Sequence, residues 1–355
     1  MKNYSLDLGR NGMPYMMKNC HKGFALAAVL WLLAGLTIVV ALVADIAEKS
    51  ADRNRLLREK NNFIVNSISV RSKLQYWLSV ATPGQNGFSI NSAKLRADGV
   101  FYEIDDNNLF SLQDHGGLIN LSSINRELMR RHLIQCGVIV QEIDNLLDAL
   151  EDYIDSDNLQ RINGAETEVY LRSGMPAPRN SNLLVKDEIW QVFGWKKYRE
   201  KFEDNKCSED LTVYGETSML GTSLNLATAP ERVLLAAGLS EDQVNDVKNA
   251  RLDAAKLSDR INEANEFVST AQGGFGRLSG KYVQRTLTVK HFSKNSPWQW
   301  VYILSIDGNY EHSPWKVFYS DFSSSEQDIA GISPLSWPIK EYEVNKYNEK
   351  SSNIF

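Results

Sequence analysis

Apolar residues run without interruption from Phe24 to Ala44 (FALAAVLWLLAGLTIVVALVA), with no charge and no proline. As a helix this run spans about 30 Å, the thickness of a bilayer core. Polar segments flank it on both sides. Past Ala44 the pattern becomes periodic. Leu56, Phe63, Val70 and Trp77 recur every seven residues, and Ile64, Ile68, Leu74 and Leu78 widen the stripe. That predicts a helix over 45–80 with one buried face, ended by Pro83-Gly84 and Asn86-Gly87. Gly99–Ile104 (GVFYEI) reads as a strand, followed by a polar loop.

Residues 126–154 return to helical spacing, with Gly137 as a break between two helices. A helix starting near Lys186 places Ile189, Val192 and Phe193 on one side. The charged stretch 196–219 reads as a surface loop. Thr228, Pro230 and Glu231 suit a helix start, Ser240-Glu-Asp begins the next helix, and 252–272 continue as helix. Gly273–Gly280 reads as a linker. Val283, Arg285, Leu287 and Val289 then alternate with polar residues, and Trp300–Ile306 and Trp315–Ser320 supply two more strands around an Asp307-Gly-Asn turn. The order is helix, strand, a long helical segment, then strands, which is an α+β arrangement.

Composition narrows the class. The chain has 355 residues, 43% hydrophobic and 23% charged, and a net charge of −5. Residues 1–23 carry Lys2, Arg10, Lys18 and Lys22 against Asp7, so removing their net +3 would leave −8. An acidic chain is repelled by phosphates, which argues against a nucleic-acid partner. The five histidines (21, 115, 132, 291 and 312) form no H-E-x-x-H, and there is no G-x-S-x-G elbow and no phosphate loop. No catalytic set emerges, so the expectation is a binding or assembly protein and not an enzyme. The hairpin Ala237-Gly-Leu-Ser-Glu241 has one glycine and adjacent acids, so the helix pair around it reads as packing and not as a DNA clamp.

A basic stretch, Gly23, Phe24 and an unbroken apolar run resemble a type IV prepilin signal. That resemblance implies a leader over 1–23, cleavage by prepilin peptidase between Gly23 and Phe24, a methylated mature N-terminus and a transmembrane helix over 24–44. The Lys/Arg count on the two sides of the helix does not choose an orientation; the resemblance implies a single pass through the inner membrane with the C-terminal part in the periplasm. Pilins and most pseudopilins carry Glu at the fifth mature position, where this chain has Ala28. Its absence resembles the K-type minor pseudopilin of type II secretion.

Further segments resemble the same family in the same order. Asp114-His-Gly-Gly-Leu-Ile-Asn-Leu-Ser resembles its D-x-x-G-K-I-N-L-N, with Leu118 and Ser122 as departures. Leu146–Asp157 followed by Gly164-Ala-Glu166 and Tyr170 resembles L-x-D-W-I-D-x-D…G-A-E-x-x-Y, with Tyr153 for Trp. Leu224-Asn-Leu-Ala-Thr-Ala resembles I-N-V-N-T-A. The resemblance implies a pseudopilin fold, a long N-terminal helix packed on an antiparallel sheet, with a large inserted all-α domain. The implied divisions are 45–120 for the stalk helix and first part of the pseudopilin domain, 121–275 for the insertion, 276–322 for the remaining strands, and 323–355 for a polar, partly disordered tail. It also implies partnership with the I- and J-type minor pseudopilins and the inner-membrane secretion machinery, at the tip of a periplasmic fibre. The competing reading is a minor component of a type IV pilus or DNA-uptake machine.

Two sites follow. Asp155, Asp157, Asn158 and Glu166 crowd an oxygen-rich loop, which suits Ca²⁺, a hard ion taking 6–8 oxygens. Counted from Asp155, Asp157 and Glu166 fall at EF-hand positions 3 and 12, but Leu159 stands at 5 and the glycine at 10, so the loop is not an EF-hand. K-type pseudopilins bind calcium, which implies ligand roles for Asp155, Asp157 and Glu166, with Asp152 a weaker candidate; a solvated acidic helix end is the other reading. Of three cysteines, Cys20 lies in the leader. Cys136 and Cys207 in an oxidising compartment favour one disulfide, while two buried free thiols remain open as an alternative.

Overall fold

In the computed structural model, the described residues are 24–215, 224–271, 282–294, 296–307, 313–324 and 332–338. The leader with Gly23, the linker 273–280 and the Gly308-Asn309 part of the turn lie outside them. The chain forms two units, residues 1–61 and 62–355.

Helix α1 runs from Phe24 to Val80. It contains a stretch long and apolar enough to cross a membrane, and none of that stretch is buried within the protein. In the second unit its buried stripe is Phe63, Ser67, Val70, Leu74 and Leu78, at steps of three and four as a straight helix requires. The strict seven-residue reading shifts accordingly. Leu56 is 52% and Ile68 45% exposed, and Trp77 is half-buried.

A small sheet follows the helix: β1 (Thr82–Pro83), β2 (Gly87–Ile90) and β3 (Ala93–Arg96), in that order. Sequence reading had no strand there. Gly87 is required by close packing, since a Cβ on it would sit 2.0 Å from the Leu95 carbonyl oxygen. Strand β4 (Asp98–Glu103) pairs antiparallel with β5 (Asn108–Asp114). The expected polar loop is therefore mostly a strand. Asn108, Ser111 and Asp114 are buried beside Leu109, Phe110 and Leu112, so polar positions do not mark its solvent face.

After β5 the chain leaves the sheet. It forms β6 (Ile119–Asn120), α2 (Arg126–Gln135), α3 (Ile143–Ile154), α4 (Thr167–Arg172), α5 (Arg199–Asp204), β7 (Leu211–Thr212), α6 (Glu231–Ala236), α7 (Glu241–Ala250) and α8 (Ala254–Ala271). The Asn125 side chain accepts from Leu128 N–H to start α2, and Ser240 and Gln243 form a capping box on α7. These helices share one core, including Leu147, Trp195, Phe202, Leu234 and Val247. Residues 196–215 are part of that core and not a surface loop. Phe202 and Cys207 are fully buried, and β7 pairs in parallel with β6. Lys186–Gln191 is a 3₁₀ turn where a longer helix was expected.

The chain re-enters the sheet as β8 (Thr286–Ser293), β9 (Trp298–Ile306) and β10 (Trp315–Ser324), and β11 (Leu335–Ser336) adds a last pairing. The spatial order is β10-β9-β8-β5-β4-β11, antiparallel except for β11 on β4. Val70, Leu74 and Leu78 of α1 pack on Phe110, Leu112, Leu287, Val289, Tyr302 and Leu304. Burying each of those three helix side chains contributes about 1.5–3 kcal/mol. Within the polar C-terminal segment, residues 335–337 add to the sheet. Trp337 donates its backbone N–H to Glu103 O and sets its ring 5.4 Å from Phe110.

Candidate metal centre

The amphipathic helix α3 buries Leu146, Leu147 and Leu150 and brings its C-terminus to the loop 155–166. Asp155 caps that end in extended conformation, and Glu166 stands at the N-cap of α4 without a side-chain capping bond. The fold thus brings Asp155, Asp157 and Glu166 together. One carboxylate oxygen from each lies within 4.8 Å of the others.

Their bonding is unequal. Glu166 is only 5% exposed, yet neither of its oxygens has a hydrogen-bond partner. Asp155 Oδ1 is also unpartnered, while its Oδ2 accepts from Arg161 Nη1 at 2.5 Å. Asp157 Oδ1 accepts from Leu159 N–H at 2.8 Å, and its carbonyl accepts from Asn180 Nδ2, which also bonds Asn158 Oδ1. Burial and then the Asp152 charge push the Glu166 carboxyl above the usual range; the neighbouring Thr167 N–H draws it down, and Asp155 and Asp157 push it up further. An unbonded buried carboxylate costs several kcal/mol unless a cation or donor meets it.

Asp152 has a different setting. It is fully buried, its oxygens accept from the Arg161 backbone N–H at 3.2–3.3 Å, and Oδ1 also takes Arg161 Nη1 at 2.7 Å. The same guanidinium reaches Glu151 at 3.0 Å. Gly164 presses against Asp152, where a Cβ would sit 2.0 Å from Oδ2. So three of the four expected acids converge, and Asp152 is engaged elsewhere in the same loop. The fold-back of Arg161 onto positions 152 and 155 has no local sequence signal.

A second buried carboxylate lies where the chain leaves the sheet. Asp114 accepts from Gly116 N, Gln284 N, Asn225 Nδ2 and Thr228 Oγ1, all at 2.8–2.9 Å. Asp114 ends β5 and Gln284 precedes β8, so this one side chain fastens the exit of the helical insertion to its return. Burial pushes its pKa up to about 6 against those four donors. Thr228, expected as a helix cap, spends its hydroxyl here, and Pro230 occupies the N-cap of α6 without a side-chain bond. The neighbouring His115 is buried with Thr212 and Thr288 hydroxyls on its two ring nitrogens, and burial then Lys186 push it down to about 3.

The third site is a disulfide between Cys136 and Cys207 with a Cα–Cα distance of 6.1 Å. His132 packs beside it and its Nε2 lies 2.9 Å from Asp210 Oδ2. His132, Cys136 and Cys207 cluster tightly enough to hold a metal, but both sulfurs are spent on each other.

Residues 107–199, which hold Asp114 and the whole acidic loop, match the family model described as Type II secretion system (T2SS), protein K. Over those residues the chain is similar to that family. The long N-terminal helix on an antiparallel sheet, with further helices inserted, is an α+β fold. No curated protein matches the chain. Among solved structures, a chain of the crystal structure of the GspK-GspI-GspJ complex from the enterotoxigenic Escherichia coli type 2 secretion system is similar over 77% of this chain and 100% of that one. Its identity is 16% and the TM-score 0.48.

Proposed function

We propose that this chain is a K-type minor pseudopilin that forms and caps the tip of the periplasmic pseudopilus and helps to start its assembly. The observation that carries this reading is the helical insertion between β5 and β8. It is a second core hung on a pseudopilin sheet, too bulky for a subunit packed on all sides in a fibre. Ala28 supports the same position, because a tip subunit has no subunit above whose N-terminus a fifth-position Glu would meet. The I- and J-type minor pseudopilins are its partners at the tip. Prepilin peptidase cuts between Gly23 and Phe24, the new N-terminus is methylated, and α1 anchors the protein in the inner membrane with the folded unit in the periplasm.

Calcium belongs to the same reading. Asp155, Asp157 and Glu166 would hold one ion, and the three unpartnered buried oxygens are the feature that fits it. Bound there, calcium would supply the positive charge that Glu166 lacks and tie α3 to α4.

N-terminal sequencing of the membrane-purified protein, followed by capture with tagged I- and J-type subunits, tests the proposal. A mature start at Phe24 and co-purification of both subunits are expected. An intact leader, or a processed protein that binds neither subunit, removes the tip assignment.

A further inference from the structure

We infer that the outer edge of β4, with the ring of Phe110 behind it, is a docking site for an extended partner segment that carries an apolar residue and, two positions on, an aromatic one. Residues 335–337 of this chain fill that site in cis as an exchangeable guard. The inference goes beyond the tip reading and stands without it.

A sheet edge offers a row of unpaired backbone groups, and folded proteins blunt it. The two edges of the six-stranded sheet are blunted differently. At one edge β10 has a register shift between Val317 and Tyr319, which bends the strand away from a straight pairing line. At the other, β11 covers β4. It reaches only two of the six residues of β4, and it is parallel where the four other pairings among the described strands are antiparallel. Parallel pairing is the weaker kind.

Leu335 pairs with Tyr102 and Ser336 with Glu103, and Trp337 N–H donates to Glu103 O at 2.9 Å. Side chains two apart on a strand share a face. Leu335 and Trp337 therefore lie on the face of Tyr102, whose partner across β4 and β5 is Phe110. Tyr102 stacks on Phe110 with ring centroids 5.4 Å apart, and Trp337 meets Phe110 edge-on at the same distance. Both inner rings are buried, Trp337 is half-buried against the core that α1 shares, and Leu335 and Ser336 are exposed. The resident thus shows what the site accepts: backbone laid parallel to β4, one aliphatic side chain and one aromatic ring, a strand-addition mode of recognition. A longer segment of the same pattern would pair with more of β4 and displace it.

Fluorescence anisotropy with a labelled synthetic peptide of the sequence Ile332–Pro338 tests this on detergent-solubilised full-length protein. W337A removes the ring that holds the guard. It is expected to bind the peptide about tenfold or more tighter than the wild type, whose site is free only in a minor fraction of molecules. A peptide with alanine for the tryptophan is expected to bind neither protein. In W337A the β4 amides are expected to exchange faster and to slow again when the peptide is added. The wild type answers without any variant: its Trp337 amide is expected to exchange about a hundredfold or more faster than the β5 amides paired with β8, by local opening. Exchange of Trp337 as slow as β5, or equal peptide binding by the two proteins, overturns the guard. A folded W337A with faster β4 exchange that takes up no peptide overturns the docking site. Self-association of W337A in place of peptide binding makes a second copy the occupant and overturns the partner stated here.

Discussion

Two buried carboxylates sit at opposite ends of one stretch of chain, and their surroundings differ. Asp114 receives four donors from three separate segments and needs nothing more. Glu166, 5% exposed against 0% for Asp114, accepts no hydrogen bond and feels only the pull of the neighbouring Thr167 N–H. Both are pushed above the ordinary carboxylate range by burial, so titration alone does not tell them apart. The donor tally does. A buried acid with every lone pair met is a structural pin, and one with none met is a place for a ligand. Asp114 holds the helical insertion to the sheet; Glu166, on the calcium reading proposed above, is where the insertion would receive an ion.

The sharpest way to break this contrast is D114A. It leaves the Gln284 and Gly116 N–H groups and the Asn225 and Thr228 side chains without their acceptor. A loss of about 4 kcal/mol or more is expected, at roughly 1–3 kcal/mol per orphaned buried donor with partial relaxation. Urea unfolding of the full-length protein in detergent, followed by tryptophan fluorescence, measures it. A loss below 1 kcal/mol would remove Asp114 as the pin.

Next comes calcium. At a hundred times its dissociation constant, the ion is expected to stabilise the wild type by about 2.7 kcal/mol. E166Q is expected to abolish that gain while D114N, if it folds, keeps it. Equal gains in E166Q and wild type would place the ion elsewhere.

The junction also predicts a pH dependence. His115 and His291, buried against neutral partners, are pushed down to about 3 and about 4, in each case by burial first. Both folded values lie below the ordinary 6.5, so the stability they carry is intact above pH 6.5 and is lost as pH falls toward those values. Asp114, raised from 3.8 to about 6, works in the other direction and gains stability on acidification through 6. At pH 5 the histidines cost about 2 kcal/mol each and Asp114 returns about 1 kcal/mol, a net loss of about 2–3 kcal/mol relative to pH 7. Unfolding at the two pH values checks this, and H291N is expected to remove most of the net loss. A stability that rises between pH 7 and 5 would contradict it.

The smallest effect carries the opposite sign to the first. Without calcium, E166Q is expected to be neutral or stabilising by up to about 1 kcal/mol, because it deletes an unmet buried charge. A destabilisation comparable to that of D114A would mean that Glu166 is pinned too.

The contrast also explains which parts of the molecule could be read from sequence. The spacing of Asp155, Asp157 and Glu166 was enough to expect them at one place, since a short loop between two helices returns on itself. Asp114 stood in one motif and Asn225 and Thr228 in another, and nothing in the sequence showed that they meet. They lie 111 and 114 positions apart, and long-range polar contacts leave no periodicity. For the same reason β5 read as a loop, because Asn108, Ser111 and Asp114 are buried by tertiary partners. The α1 stripe was right in kind and shifted in position, since packing on the sheet selects Phe63, Ser67 and Val70 over Leu56. Trp337 in a polar segment gave no hint of the short strand it follows. Arg161 had no signal at all, because an arginine in an acidic loop looks like ordinary solvated charge.

The central claim, that Glu166 is unmet by protein because a cation meets it, is tested most directly by crystals of the full folded unit grown with calcium and measured at a long wavelength, where the ion scatters anomalously. The account predicts one anomalous peak bonded to Asp155, Asp157 and both oxygens of Glu166, with Arg161 still on Asp152. Glu166 bonded instead to a protein donor, with no peak beside it, would contradict the account.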